Sequence, residues 1–138
     1  MKFSTSVILF LLLTNCSGTR QLSKEITTKS GLKYTVLKTG AGEAAKPGQE
    51  VGIYESMGYL NSKQFYSIER PAQPIKFTLG KKQVIDGVDE AVTGMKVGEI
   101  RKLIVPPSLS KRLEYPAYLS PDSTLLYNVE LVEIVKNK

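Results

Sequence analysis

From residue 31 onward, apolar side chains recur at every second position in short runs, the period of a strand with one buried face. Leu32, Tyr34 and Val36 alternate in a run over 31–38 that ends at Gly40-Ala41-Gly42, which predicts a strand and a turn. Pro47-Gly48 marks a second turn. After it, Val51, Ile53, Glu55, Met57 and Tyr59 share one face, opposite Gly52, Tyr54, Ser56 and Gly58, so Glu55 falls among apolar neighbours. Asn61-Ser62 predicts a turn into a strand over 63–67, and Ile75 to Leu79 alternates up to Gly80. Ile100 to Val105 and Leu125 to Val135 complete the strands, with Leu125, Tyr127, Val129 and Leu131 on one face. A single helical signal interrupts them: Asp86 as N-cap, Asp89 and Glu90 in the first turn, Val88, Ala91, Val92 and Met95 as an apolar stripe, and Gly94 near the end. About two turns of helix do not hold their shape in water, so the helix must be held by packing, in the concave face of a sheet. The segment 106–124 has no periodicity. It holds Pro106, Pro107, Pro116 and Pro121 and an apolar load of Leu109, Leu113, Tyr115, Tyr118 and Leu119, which suits a loop lying over something.

The beginning of the chain follows a different pattern. Lys2 precedes the apolar run Val7 to Leu13, too short to cross a bilayer core of ~30 Å that needs ~20 helical residues. Residues 1–15 therefore read as a secretory signal peptide. Leu13-Thr14-Asn15-Cys16 resembles a bacterial lipobox, which implies that Cys16 is lipidated and becomes the mature N-terminus of an exported, membrane-anchored lipoprotein on the periplasmic or cell-surface side. Asn15 departs from the Gly, Ala or Ser usual before that cysteine. The alternative is an ordinary signal peptide with a free cysteine nearby. Residues 16–30 have the composition of a flexible tether, and 31–138 form the folded domain.

Composition narrows the chemistry. With 138 residues and 41% hydrophobic content there is one core, and the absence of histidine excludes a Ser-His-Asp or Cys-His catalytic unit, a His-bearing zinc site and a histidine pH switch. Cys16 is the sole cysteine, so no internal disulfide forms. The net charge of +6 is carried partly by Lys81-Lys82, Arg101-Lys102 and Lys111-Arg112, which read as solvated surface rather than a nucleic-acid footprint. No metal or cofactor is expected.

Gln83-Val84-Ile85-Asp86-Gly87-Val88-Asp89-Glu90, continuing through Gly94-Met95-Lys96-Val97-Gly98-Glu99 to Val105-Pro106-Pro107, resembles the FKBP-type peptidyl-prolyl cis-trans isomerase family. Phe65, Pro74-Ile75-Lys76-Phe77-Thr78-Leu79-Gly80 and Ser120 to Leu131 follow in the family's order, so the resemblance covers about Gly31 to Ile134. It implies an α+β fold, an antiparallel half-barrel sheet wrapped round one short helix. It also implies a cavity for a prolyl segment, with Phe65, Tyr66, Val88 and Tyr127 at the catalytic positions and Glu55, Ile75, Val84, Ile85, Lys111 and Leu119 as substrate-binding positions. Such a cavity needs no acid, base or metal: twisting an amide past its barrier of ~18–20 kcal/mol makes it less dipolar, and a dry wall favours that form.

Four diagnostic positions depart from the family pattern. Glu55 replaces the pocket Tyr, Tyr66 the pocket Asp, Val88 the floor Trp, and Lys111 the loop Tyr whose hydroxyl holds the substrate carbonyl. Tyr66 is positioned to refill the space lost at Val88; Glu55 and Lys111 either pair across the cavity or both point to water. The resemblance with these departures implies a monomeric isomerase that binds proline-containing segments and assists folding of exported proteins, weakly, with its rate set by packing rather than by a titrating group. The alternative is a non-catalytic FKBP-like binding module for a proline-containing or extended partner.

Overall fold

The computed structural model describes residues 23–136. Seven strands form one antiparallel open sheet: β1 (Ile26–Thr27), β2 (Lys33–Lys38), β3 (Glu50–Tyr59), β4 (Gln64–Ile68), β5 (Ile75–Thr78), β6 (Ile100–Val105) and β7 (Leu125–Ile134), with one helix, α1 (Asp86–Val92), between β5 and β6. The spatial order is β1-β2-β6-β7-β3-β4, and β5 pairs with β3. The two short strands divide the outer edge of β3: β5 takes Glu50 to Ile53 and β4 takes Glu55 to Gly58. Period-two alternation puts Val51, Ile53 and Met57 of β3, Leu103 and Val105 of β6, and Leu125, Tyr127, Val129 and Leu131 of β7 on one buried face. Helix α1 lies against that face through Val88, Ala91 and Val92.

Two features fix how closely the helix sits. A Cβ on Gly87 would lie 2.6 Å from Val105 Cγ1 and 3.3 Å from the Leu109 carbonyl oxygen, so the first turn approaches β6 at a distance only glycine allows. Gly94, at φ +88°, ends the helix in the left-handed region, and its N–H donates to Ala45 O at 2.8 Å. The helix start differs from the sequence reading. Ile85 is the N-cap, Asp86 is the first helical residue, and no side chain caps the helix. Ile85 is held against the core while Asp86 faces solvent, so burial of the apolar residue sets the start. Asp89 uses its carboxylate elsewhere, accepting the Gly80 N–H at 3.0 Å and tying the turn after β5 to the helix.

The tether expected over 16–30 is partly structured. Ile26 and Thr27 pair with Tyr34 and Lys33, Thr28 N–H donates to Leu32 O at 2.8 Å, and Ser30 Oγ donates to Glu90 at 2.7 Å. β2 would otherwise end the sheet with an open row of N–H and C=O groups, and this short strand covers the part of that edge at Lys33 and Tyr34. The signal peptide over 1–15 and Cys16 lie outside the described residues.

Arg101 also differs from expectation. Of the pair Arg101-Lys102 only Lys102 is exposed. Arg101 shares its face with Leu103 and Val105, and its Nε donates to Glu99 Oε1 at 2.6 Å, the two side chains being 11% and 9% exposed. Glu99 Oε2 accepts the Lys96 N–H at 3.1 Å, Arg101 Nη1 donates to Ala91 O at 2.9 Å, and the guanidinium lies 4.6 Å from the centre of the Tyr34 ring. This buried ion pair joins the end of α1 to β6 and β2.

Candidate functional site

The candidate site occupies the concave side of the sheet where β3, β4 and β7 meet. Met57 of β3 is in register with Tyr66 of β4 on one side and Tyr127 of β7 on the other, which sets these three side chains abreast. A β-bulge between Met57 and Gly58 leaves Phe65 outside the regular pairing, and both Phe65 and Tyr66 join the core cluster. Phe65 packs between Tyr59 and Tyr118, with ring centres 5.0 and 5.5 Å away.

The long loop closes one wall. A 3-10 turn at Pro107–Leu109 starts it, and the Tyr59 hydroxyl fastens it by donating to Tyr118 O at 2.8 Å and accepting the Ser120 N–H at 3.1 Å. Within the loop Ser110 is buried, Lys111 is exposed and Arg112 turns inward. Arg112 Nη2 donates to the Tyr127 hydroxyl at 2.6 Å and lies 3.5 Å from Met57 Sδ, while its backbone N–H donates to the Tyr115 hydroxyl at 3.3 Å. Its Nε is buried with no hydrogen-bond partner among the described residues.

This polar group changes the electrostatics of the concavity. Burial pushes the Glu55 carboxyl up to about 7, against the opposing pull of the Arg112 charge. Burial likewise pushes the Tyr127 hydroxyl up to about 12; the Arg112 charge works against burial and the Glu55 charge with it, and the phenol stays neutral as acceptor for Arg112. The Tyr66 hydroxyl is raised too, chiefly by burial and then by the charges of Glu55 and Tyr118.

Of the residues singled out from the sequence, Phe65, Tyr66, Ile75, Val84, Ile85, Val88, Leu119 and Tyr127 gather in one apolar cluster. Val88 is buried beneath it as part of the core. Lys111 stands apart in solvent, and the cation that turns inward is Arg112, which the sequence reading places with Lys111 on the solvated surface. Glu55 makes no ion pair with Lys111 among the described residues; it is half-buried, and burial outweighs the pull of the Arg112 charge on its carboxyl. Arg112 is held inward by its bond to the Tyr127 hydroxyl and by the Tyr115 hydroxyl on its backbone N–H, while Lys111 has no such partner among the described residues.

These elements define an open antiparallel sheet curled on one helix, with an aromatic cluster on its inner face covered by a long loop. The sequence profile of FKBP-type peptidyl-prolyl cis-trans isomerases matches residues 41–132. The chain is 35% identical over 103 residues to FK506-binding protein 1 of Dictyostelium discoideum, covering 74% of this chain and 96% of that protein. It is 38% identical over 117 residues to FK506-binding protein 4 of Mycosarcoma maydis, of which it spans 31%. The crystal structure of FkpA from Escherichia coli superposes with a TM-score of 0.69 at 32% identity, over 80% of this chain and 51% of that one. The chain thus belongs to the FKBP-type peptidyl-prolyl cis-trans isomerase family, and it spans about a third or less of the length of several of the curated relatives it matches.

Proposed function

We propose that the protein is a peptidyl-prolyl cis-trans isomerase of low turnover that assists folding of exported proteins. The observation that carries this reading is the apolar cluster of Phe65, Tyr66, Ile75, Leu119 and Tyr127 on the inner face of the sheet in a chain of this family. A proline ring held against that wall leaves its preceding amide in a poorly hydrated space, where the twisted, less dipolar amide is favoured over the planar one. Low turnover is supported by what shares the space: Arg112 bonded to Tyr127, and Glu55 gaining charge near neutral pH. Each works against dryness, and a loss of ~3 kcal/mol in differential stabilisation corresponds to about two decades of rate.

In a protease-coupled assay on a Leu-Pro peptide, acceleration above the spontaneous rate is expected, about a hundredfold below the Dictyostelium relative measured alongside. No acceleration at any protein concentration would remove the enzyme reading. The second reading, a non-catalytic module that holds a proline-containing or extended partner, is favoured by the Arg112 to Tyr127 bond in the cavity; saturable peptide binding without acceleration would establish it.

The reading also places the domain on the exported side of a membrane as a monomer, held by a lipid on Cys16, on the strength of the apolar run Val7 to Leu13 and the cysteine that follows it. Cys16→Ser is expected to move the protein from the detergent phase to the aqueous phase on partitioning, and equal partitioning of both forms would end the anchor proposal.

A further inference from the structure

Arg70, Arg101 and Arg112 are the arginines within the described residues, and they are served differently. Arg70 pairs with both oxygens of Glu130, each at 3.1 Å, and Arg101 pairs with Glu99. Arg112 has no carboxylate oxygen within 4.0 Å among those residues, although it is drawn into the concavity and its Nε is buried without an acceptor. A half-buried guanidinium bonded to a phenol and a thioether, with a buried Nε that has no acceptor, is incompletely satisfied, since its donors are matched best by a carboxylate in fork geometry. Glu55 shares the space and makes no hydrogen bond to it among the described residues; near neutral pH its proton leaves the cation uncompensated part of the time. Tyr66, Tyr115 and Tyr127, which face it, are phenols, and the charged loop neighbours Lys111 and Glu114 are exposed.

Resting on the isomerase reading, we infer that Arg112 makes this site selective for prolines flanked by an acidic residue, the side-chain carboxylate of an adjacent aspartate or glutamate completing the shell of the Arg112 guanidinium while the proline ring lies on the aromatic wall. The substrate class is thus an anionic Xaa-Pro or Pro-Xaa segment of an unfolded polypeptide. The loop geometry suits this, because Arg112 reaches Tyr127 and Met57 at the inner face of the sheet while remaining only partly buried as a residue.

The test uses the full chain with matched peptides: Ala-Glu-Pro-Phe against Ala-Gln-Pro-Phe, and Ala-Leu-Pro-Glu against Ala-Leu-Pro-Gln, each measured for binding by titration and for turnover. At low salt, one of the Glu peptides is expected to exceed its Gln partner at least tenfold, with the ratio falling as salt rises. In Arg112→Gln the ratio should drop to about one, and Arg112→Lys should retain only part of it. A ratio near one for both pairs in the unmodified protein overturns the inference while leaving the isomerase reading intact if the Gln peptides turn over. Preferential binding of a Glu peptide without turnover does the reverse, and binding of no peptide overturns both. If Arg112→Gln fails to fold, the ratio and its salt dependence in the unmodified protein decide.

Discussion

Replacing Glu99 by alanine is expected to destabilise the fold by about 3 kcal/mol, because it leaves a buried guanidinium without its counter-ion. Arg101 cannot shed its proton and cannot reach water without leaving the face it shares with Leu103 and Val105. The same change frees the Lys96 N–H and loosens the join between α1 and β6. Since the whole stability of a domain this size is ~5–15 kcal/mol, urea denaturation should show a large fall in midpoint at unchanged slope. The double change Glu99→Ala with Arg101→Met should recover most of the loss, because it removes the stranded charge along with its partner. A loss below about 1 kcal/mol in the single variant would mean that the pair behaves as a solvated one.

The second large effect is a pH dependence carried by Glu55. Its carboxyl titrates at about 7 in the folded protein against an ordinary value of 4.5, so the folded state holds this proton more tightly than the unfolded chain does. Stability is therefore greatest, as far as this group is concerned, below about pH 4.5; it declines as pH rises toward 7 and loses nothing further above that. The full excursion is of order 3 kcal/mol. Glu55→Gln carries no charge to desolvate. It should match the parent at pH 4 and exceed it by ~2–3 kcal/mol at pH 8, with the difference opening between those limits in thermal or urea melts. Curves that stay parallel over the whole range would place the Glu55 side chain in water. On the isomerase reading, turnover is expected to change with pH near neutrality if this titration matters to the site, whereas a rate set by packing alone would give a flat profile.

The strands were legible because their inner positions repeat every second residue on a face that must be buried, as at Val51, Ile53 and Met57 or Leu125 to Leu131. The apolar stripe Val88, Ala91 and Val92 betrayed the helix for the same reason. Charged residues on those faces were harder. Arg101 has the inward parity of Leu103 and Val105, but only the position of Glu99, two residues earlier and just before the strand, shows that a buried charge can be accommodated there. The loop over 106–124 offered no period from which to choose between Lys111 and Arg112; that choice rests on long-range contacts of Arg112 with Tyr127 and Met57 that no local pattern encodes. β1 was illegible because two residues carry no pattern, and their order comes wholly from the edge of β2.

The position of β7 governs how this chain can reach its structure. The last of the strands in sequence is the one that lies between β6 and β3, with Arg101 opposite Val129 on one side and Glu55 opposite Val129 on the other. Until it docks, β1-β2-β6 and β3 with β4 and β5 are two fragments with no shared ladder, each with an open edge. Partners this far apart in sequence place the domain among high-contact-order proteins, which fold in milliseconds to seconds rather than microseconds. A chain of this topology stays open until residue 134 is free to pair, and during that interval its unpaired edges are the places where it is most exposed to aggregation or to a chaperone.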